Sequence, residues 1–119
     1  MTDVDRLVQD YLAMWNEPDA DARRALVART VTDDATYLDP VMSGEGIDGI
    51  TTMIGGAQAQ FPGHAFQLHA GPDAHHDRVR FSWSLVANGG APVAVGTDYV
   101  TVSDDGRMQS VTGFLEASV

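Results

Sequence analysis

The chain changes its hydrophobic period at Gly63, and that change decides what it can fold into. Before this point apolar residues recur at helical spacing; after it they alternate. Residues 3–15 put Val4, Leu7, Val8, Tyr11, Leu12 and Trp15 on one stripe, with Thr2 or Asp3 as cap and Asn16-Glu17-Pro18-Asp19 as stop. A second helix is predicted over 20–29, capped by Asp19 or Asp21, with Ala22, Ala25, Leu26 and Arg29 in phase. Thr32-Asp33-Asp34 reads as a turn into a short strand from Ala35 to Asp39, stopped by Pro40. After a loop from Met42 to Gly46, a third helix over 47–60 carries Ile47, Ile50, Ile54 and Ala57, and Gly55-Gly56 weaken it.

From there strands are expected at about 64–74, 77–88, 91–103 and 107–117. Their separators are Pro72-Asp73, Asn88-Gly89-Gly90 and Asp104-Asp105-Gly106, the last a hairpin signal. Val79, Phe81, Trp83 and Leu85 make an inner row, with Arg80, Ser82 and Ser84 outside. Helices, a strand and a helix, then an antiparallel meander argue for one α+β domain spanning 1–119, its helices packed into one face of a curved sheet.

Seven basic against seventeen acidic residues give a net charge of −10, which disfavours nucleic acid and anionic membrane as partners. There is no cysteine, so disulfides, thiolate metal sites and cysteine nucleophiles are excluded. Without a basic leader followed by an apolar stretch, or an apolar run near the length of a bilayer span, a cytoplasmic protein is expected.

One residue breaks the strand pattern. In Gly96 to Ser103 the residues Gly96, Val100 and Val102 share the inward parity, and Asp98 falls among them. A carboxylate among apolar neighbours takes a partner or holds its proton, and either outcome marks a candidate site. Tyr11, on the apolar stripe of the first helix, is an inward hydroxyl that also needs a partner. Asp39 ends the first strand on the parity of Ala35 and Tyr37. A phenol and two carboxyls can thus meet at one pocket, with Phe66, Leu68, Phe81, Trp83 and Val100 as an apolar wall for a flat, ring-like ligand. Each has a structural alternative: Asp39 as a cap on the turn at Pro40, Tyr11 as a core tyrosine, Asp98 as a buried pairing.

Three stretches carry a resemblance: Gln9 to Asn16, Asp33-Asp34-Ala35-Thr36-Tyr37-Leu38-Asp39-Pro40-Val41, and Val95-Gly96-Thr97-Asp98-Tyr99. With the element order, they resemble the nuclear transport factor 2-like (SnoaL-like) superfamily, and within it most nearly steroid Δ-isomerase. The resemblance implies a cone-shaped curved antiparallel sheet wrapped around the N-terminal helices, also described as a cystatin-like α+β barrel. It implies Asp39 as general base and Tyr11 with Asp98 as an oxyanion hole, with Trp15 and Tyr37 beside them. Ile54 stands where the isomerases carry a supporting tyrosine, and Leu115 where they carry a stacking aromatic. It implies a homodimer formed through the outer face of the sheet, a small apolar ring-containing ligand, and no cofactor. A polyketide cyclase using the same acid–base set, and a non-catalytic binding module, are the competing expectations.

Other motifs carry less. Gly44-Glu45-Gly46-Ile47-Asp48-Gly49 spells G-x-G-x-x-G, yet no acidic residue stands about 20 positions on and no repeated βαβ unit surrounds it. His64 shares the parity of Phe66, whereas His69 has the opposite one. Asp73-Ala74-His75-His76-Asp77 lies on a tight turn that splays its side chains outward, so no metal site is expected.

Overall fold

A computed structural model describes residues 3–87 and 89–116. Asp3 begins helix α1 (Val4–Asn16), its carboxylate accepting from the Arg6 amide at 3.1 Å. Asp19 does the same for helix α2 (Ala20–Thr30), accepting from the Ala22 amide at 2.9 Å. The alternative first cap, Thr2, lies outside the described residues, as do Asn88 of the expected turn and the last residue of the fourth predicted meander strand.

The order continues as β1 (Val31–Leu38), β2 (Ser43–Glu45), α3 (Gly46–Gln60), β3 (His64–His75), β4 (Arg78–Ala87), β5 (Pro92–Val102) and β6 (Met108–Leu115). The six strands form one sheet in the order β2-β1-β6-β5-β4-β3, and the helices pack against it from β1 to β3. This is the expected α+β arrangement. All neighbours are antiparallel except β1 and β6, which run parallel. Gly106, at φ 82°, turns the chain from β5 into β6.

Three local expectations are corrected. Thr32-Asp33-Asp34 belongs to β1: the register with β6 shifts between Val31 and Thr36, so Asp33 and Asp34 both face solvent without breaking the strand. The expected loop before α3 contains β2, which pairs with β1. The buried face of α2 is Arg23, Val27 and Thr30, while Ala25 and Arg29 are exposed. Arg23 can be buried because its guanidinium donates to the Glu17 carbonyl at 3.0 Å, the Gln58 side-chain oxygen at 2.9 Å and the Thr51 carbonyl at 3.3 Å.

That arginine has a consequence for the site. Gln58 on α3 donates in turn to the carbonyls of Trp15 and Glu17, both at 2.9 Å. Asn16 makes a two-way bond with the Phe66 backbone on β3. The C-terminal turn of α1 is therefore held from both sides, which fixes where Tyr11 and Trp15 stand. Among the described residues no helix is long and apolar enough to cross a membrane.

Candidate active site

Tyr11 and Trp15 lie four residues apart on α1 and face the same way, into the concave side of the sheet. Asp98 comes from the middle of β5, where the alternation of the strand turns it inward and leaves it 1% exposed. The Tyr11 hydroxyl donates to Asp98 Oδ2 at 2.9 Å, and the Trp83 indole nitrogen donates to Oδ1 at 3.2 Å. The Phe81 ring stands edge-on to Tyr11 at 5.4 Å and seals the phenol from behind.

Asp39 follows the end of β1. Its Oδ1 accepts from the amides of Val41 and Met42 at 2.8 and 2.9 Å, so it does cap the turn at Pro40. Its Oδ2 accepts from the Tyr37 hydroxyl at 2.6 Å. One oxygen holds the loop, and the other is paired with a buried phenol beside the cavity.

Burial acts on all three acidic groups at the closed end. It lifts Asp98 to about 6, with the nearby Asp39 charge adding to the rise and the bonds from Tyr11 and Trp83 opposing it. Burial also holds the Tyr11 and Tyr37 hydroxyls above the ordinary phenol range, with the Asp98 charge raising both further. Both phenols thus stay protonated donors at neutral pH.

Tyr11, Tyr37, Asp39 and Asp98 are among the residues lining one cavity of about 190 Å³, whose wall is almost wholly apolar. Of the residues expected from sequence, Tyr11, Asp39, Asp98, Trp15, Tyr37, Phe66, Trp83 and Leu115 line it. Ile54, Phe81 and Val100 do not: each is almost fully buried in the core around it. Leu68 is 45% exposed, because it sits on the edge strand at the last regular pair before the register with β4 shifts. His64 lies outside this lining too, its Nδ1 3.0 Å from the Pro62 carbonyl oxygen.

Sequence reasoning missed part of the wall, notably Met42, Phe61, Leu85 and Ala94. It also missed two glycines. A methyl group on Gly113 would come within 2.9 Å of Asp98 Oδ1 and 3.1 Å of Asp39 Cβ. One on Gly96 would meet the Trp83 ring at 2.4 Å. The space between the two carboxyls, and the seat of the indole that bonds Asp98, exist because these positions lack a side chain. A glycine inside a strand was the available signal.

Comparison with known proteins agrees with this architecture. The family model of the SnoaL-like domain matches residues 8–111. A candidate isomerase of the SnoaL-like family from Agrobacterium tumefaciens str. C58 is 45% identical, covering 94% of this chain and 96% of its own, with a TM-score of 0.90. A candidate polyketide cyclase from Sinorhizobium meliloti shares the fold at 19% identity, covering 91% and 93%, with a TM-score of 0.70. So does a nuclear transport factor 2-like protein from Cytophaga hutchinsonii ATCC 33406, at 12% identity, covering 98% and 92%, with a TM-score of 0.70. No curated protein matches the chain. With the match running through most of its length and a close relative superposing over nearly all of it, the chain belongs to the SnoaL-like domain family.

Proposed function

We propose that the protein is an isomerase-like enzyme that shifts a double bond in an enolisable, apolar, ring-containing ketone. The observation that carries this reading is the convergence of Tyr11, Asp98 and Asp39 on one apolar cavity. Asp39 takes a proton from the carbon between the carbonyl and the double bond, leaving a dienolate. The same carboxyl then returns the proton to the far carbon of the conjugated system, so no proton is gained or lost overall. Tyr11 and the protonated form of Asp98 donate to the enolate oxygen as its charge develops, in a site with little water to compete. Tyr37 positions the base by holding Asp39 Oδ2. Turnover of β,γ-unsaturated cyclic ketones, followed by the absorbance of the conjugated enone, tests the reading. The expected result is conversion of at least one such ketone by the wild type; a panel from one ring to four with no conversion overturns it.

One observation favours a second reading, an intramolecular aldol cyclase. At rest Asp98 accepts two hydrogen bonds, an arrangement that suits an ionised carboxylate acting as the base itself. Cyclisation of a polyketide ester without ketone isomerisation would select it.

We propose further that two copies pair through the outer face of the sheet. Leu38 and Tyr99 lie in one cross-strand row through Thr112, and Phe114 stands edge-on to Tyr99 at 5.6 Å. These three are 57%, 46% and 58% exposed, an apolar patch that a second copy would cover. Sedimentation should give a dimer for the wild type and a monomer for Phe114→Arg; a monomeric wild type refutes the pairing.

A further inference from the structure

Asp98 has two oxygens, and the fold treats them differently. Oδ2 meets the Tyr11 hydroxyl at 2.9 Å, whereas Oδ1 meets the Trp83 indole nitrogen at 3.2 Å. Oδ1 is also the oxygen on the side of Asp39. A methyl group at Gly113 would stand 2.9 Å from Asp98 Oδ1 and 3.1 Å from Asp39 Cβ, so the two carboxyls border one gap there. A proton carried on Oδ1 would face Asp39 across that gap and could neutralise it. A proton carried on Oδ2 lies against Tyr11 instead.

Trp83 decides between these two states. Its indole nitrogen can only donate, so the oxygen it meets has to accept. A carbonyl oxygen accepts that bond better than a hydroxyl oxygen, which favours the state with the proton on Oδ2. The ring is held in place from two sides. Trp83 pairs with Gly96 across β4 and β5 and fills the space of the missing side chain, and Phe66 stands edge-on to it at 5.3 Å. Gly96 and Asp98 lie two residues apart on the same face of β5, so an indole seated over the glycine brings its nitrogen to the carboxyl. With Trp83 only 9% exposed and Asp98 1%, little water competes for the bond.

We propose that Trp83 is a positioning residue that keeps the Asp98 proton on Oδ2, by engaging Oδ1 as an acceptor, and so stops the acid from quenching the base Asp39. In that state Asp98 and Tyr11 bring two O–H groups to one contact. Only one of them can donate across it, so at least one O–H is left for an acceptor in the cavity, as a carbonyl or enolate oxygen requires. The role of Asp39 as base rests on the isomerase reading; the place of the proton does not.

Infrared spectroscopy of the free protein tests this, because the carbonyl stretch of a protonated carboxyl falls when its oxygen accepts a hydrogen bond. Asp98→Asn identifies the band. Trp83→Phe should move it to higher frequency and raise its titration midpoint from about 6 by about one pH unit, since a donor that favours the ionised form is lost. A band and midpoint that Trp83→Phe leaves in place overturn the proposal. In turnover, the same variant should lower kcat about tenfold with KM changed by less than about twofold, and an unchanged kcat would overturn the protection of Asp39. If the variant fails to fold, the wild type decides alone. One of its two indole N–H signals should move downfield as pH rises through about 6, and two signals that stay still between pH 4 and pH 8 overturn the proposal. A shifted infrared band with no ketone turned over would remove the isomerase reading and leave the proton on Oδ2; turnover with an unmoved band would do the reverse.

Discussion

Asp39→Asn is expected to lower the isomerisation rate by about 10²–10⁴-fold while leaving the affinity for a planar phenol within about a factor of two. The fold should survive because the amide can replace the carboxylate in its structural task. Its oxygen takes the Val41 and Met42 amides now bonded to Oδ1, and its NH₂ takes the place of Oδ2 against Tyr37. The Tyr37 oxygen has lone pairs with which to accept that bond. What the amide cannot do is accept a proton from carbon. Tyr11 and Asp98 take no part in these bonds and keep their geometry, so an enolate mimic should bind as before. Retention of more than a tenth of the activity would remove Asp39 from the role of base, and a large fall in stability would show that its turn-capping oxygen matters more than its chemistry.

The sequence made the inward residues legible but not their depth. Strand parity turns Asp98, Trp83, Phe81 and Val100 to the same side, and all four do face inward. Parity has no term for distance along the cone, so Phe81 and Val100, which are core, could not be told from Trp83, which meets the cavity. The capping alternative for Asp39 and its place at the cavity turned out to be compatible, since each uses a different oxygen. Tyr11 was recoverable from the apolar stripe because its partner obligation is a property of the residue itself.

What the sequence hid depends on partners distant in the chain. Nothing local distinguishes Arg23 from the exposed Arg24, because the carbonyls and the glutamine that satisfy it come from Glu17, Thr51 and Gln58. Thr32-Asp33-Asp34 has turn composition, but parallel pairing with β6, more than seventy residues later, draws it into the sheet with a register shift. The β5–β6 hairpin sets Gly113 opposite Asp98, but only the long-range pairing of β1 with β6 brings Asp39 against the same glycine, so that the two carboxyls have room to approach.

Asp98 is expected to make the wild type less stable as pH rises from about 4 to about 6, the reverse of what a paired surface carboxylate does. Its carboxyl is raised from 3.8 to about 6 in the folded chain, chiefly by burial. In that window the unfolded chain releases the proton while the folded chain keeps it, so the unfolded state binds fewer protons and unfolding becomes easier with each step in pH. A shift of about two units corresponds to about 3 kcal/mol, present in full below the unfolded value and lost once the folded group ionises. Asp98→Asn is neutral throughout and removes this slope. Urea unfolding at pH 4 and pH 7.5 should therefore show the stability difference between variant and wild type moving by about 2.4 kcal/mol in favour of the variant, since part of the effect is already lost at pH 4. The absolute offset is a separate matter, because one amide cannot accept from both Tyr11 and Trp83 as the carboxylate does. The same titration fixes the catalytic role. If Asp98 must donate to an enolate, kcat/KM of the wild type falls above about pH 6; if it is the base, kcat/KM rises through that pH. A stability difference that stays constant between the two pH values would mean that Asp98 ionises normally, and neither role as a tuned carboxyl would remain.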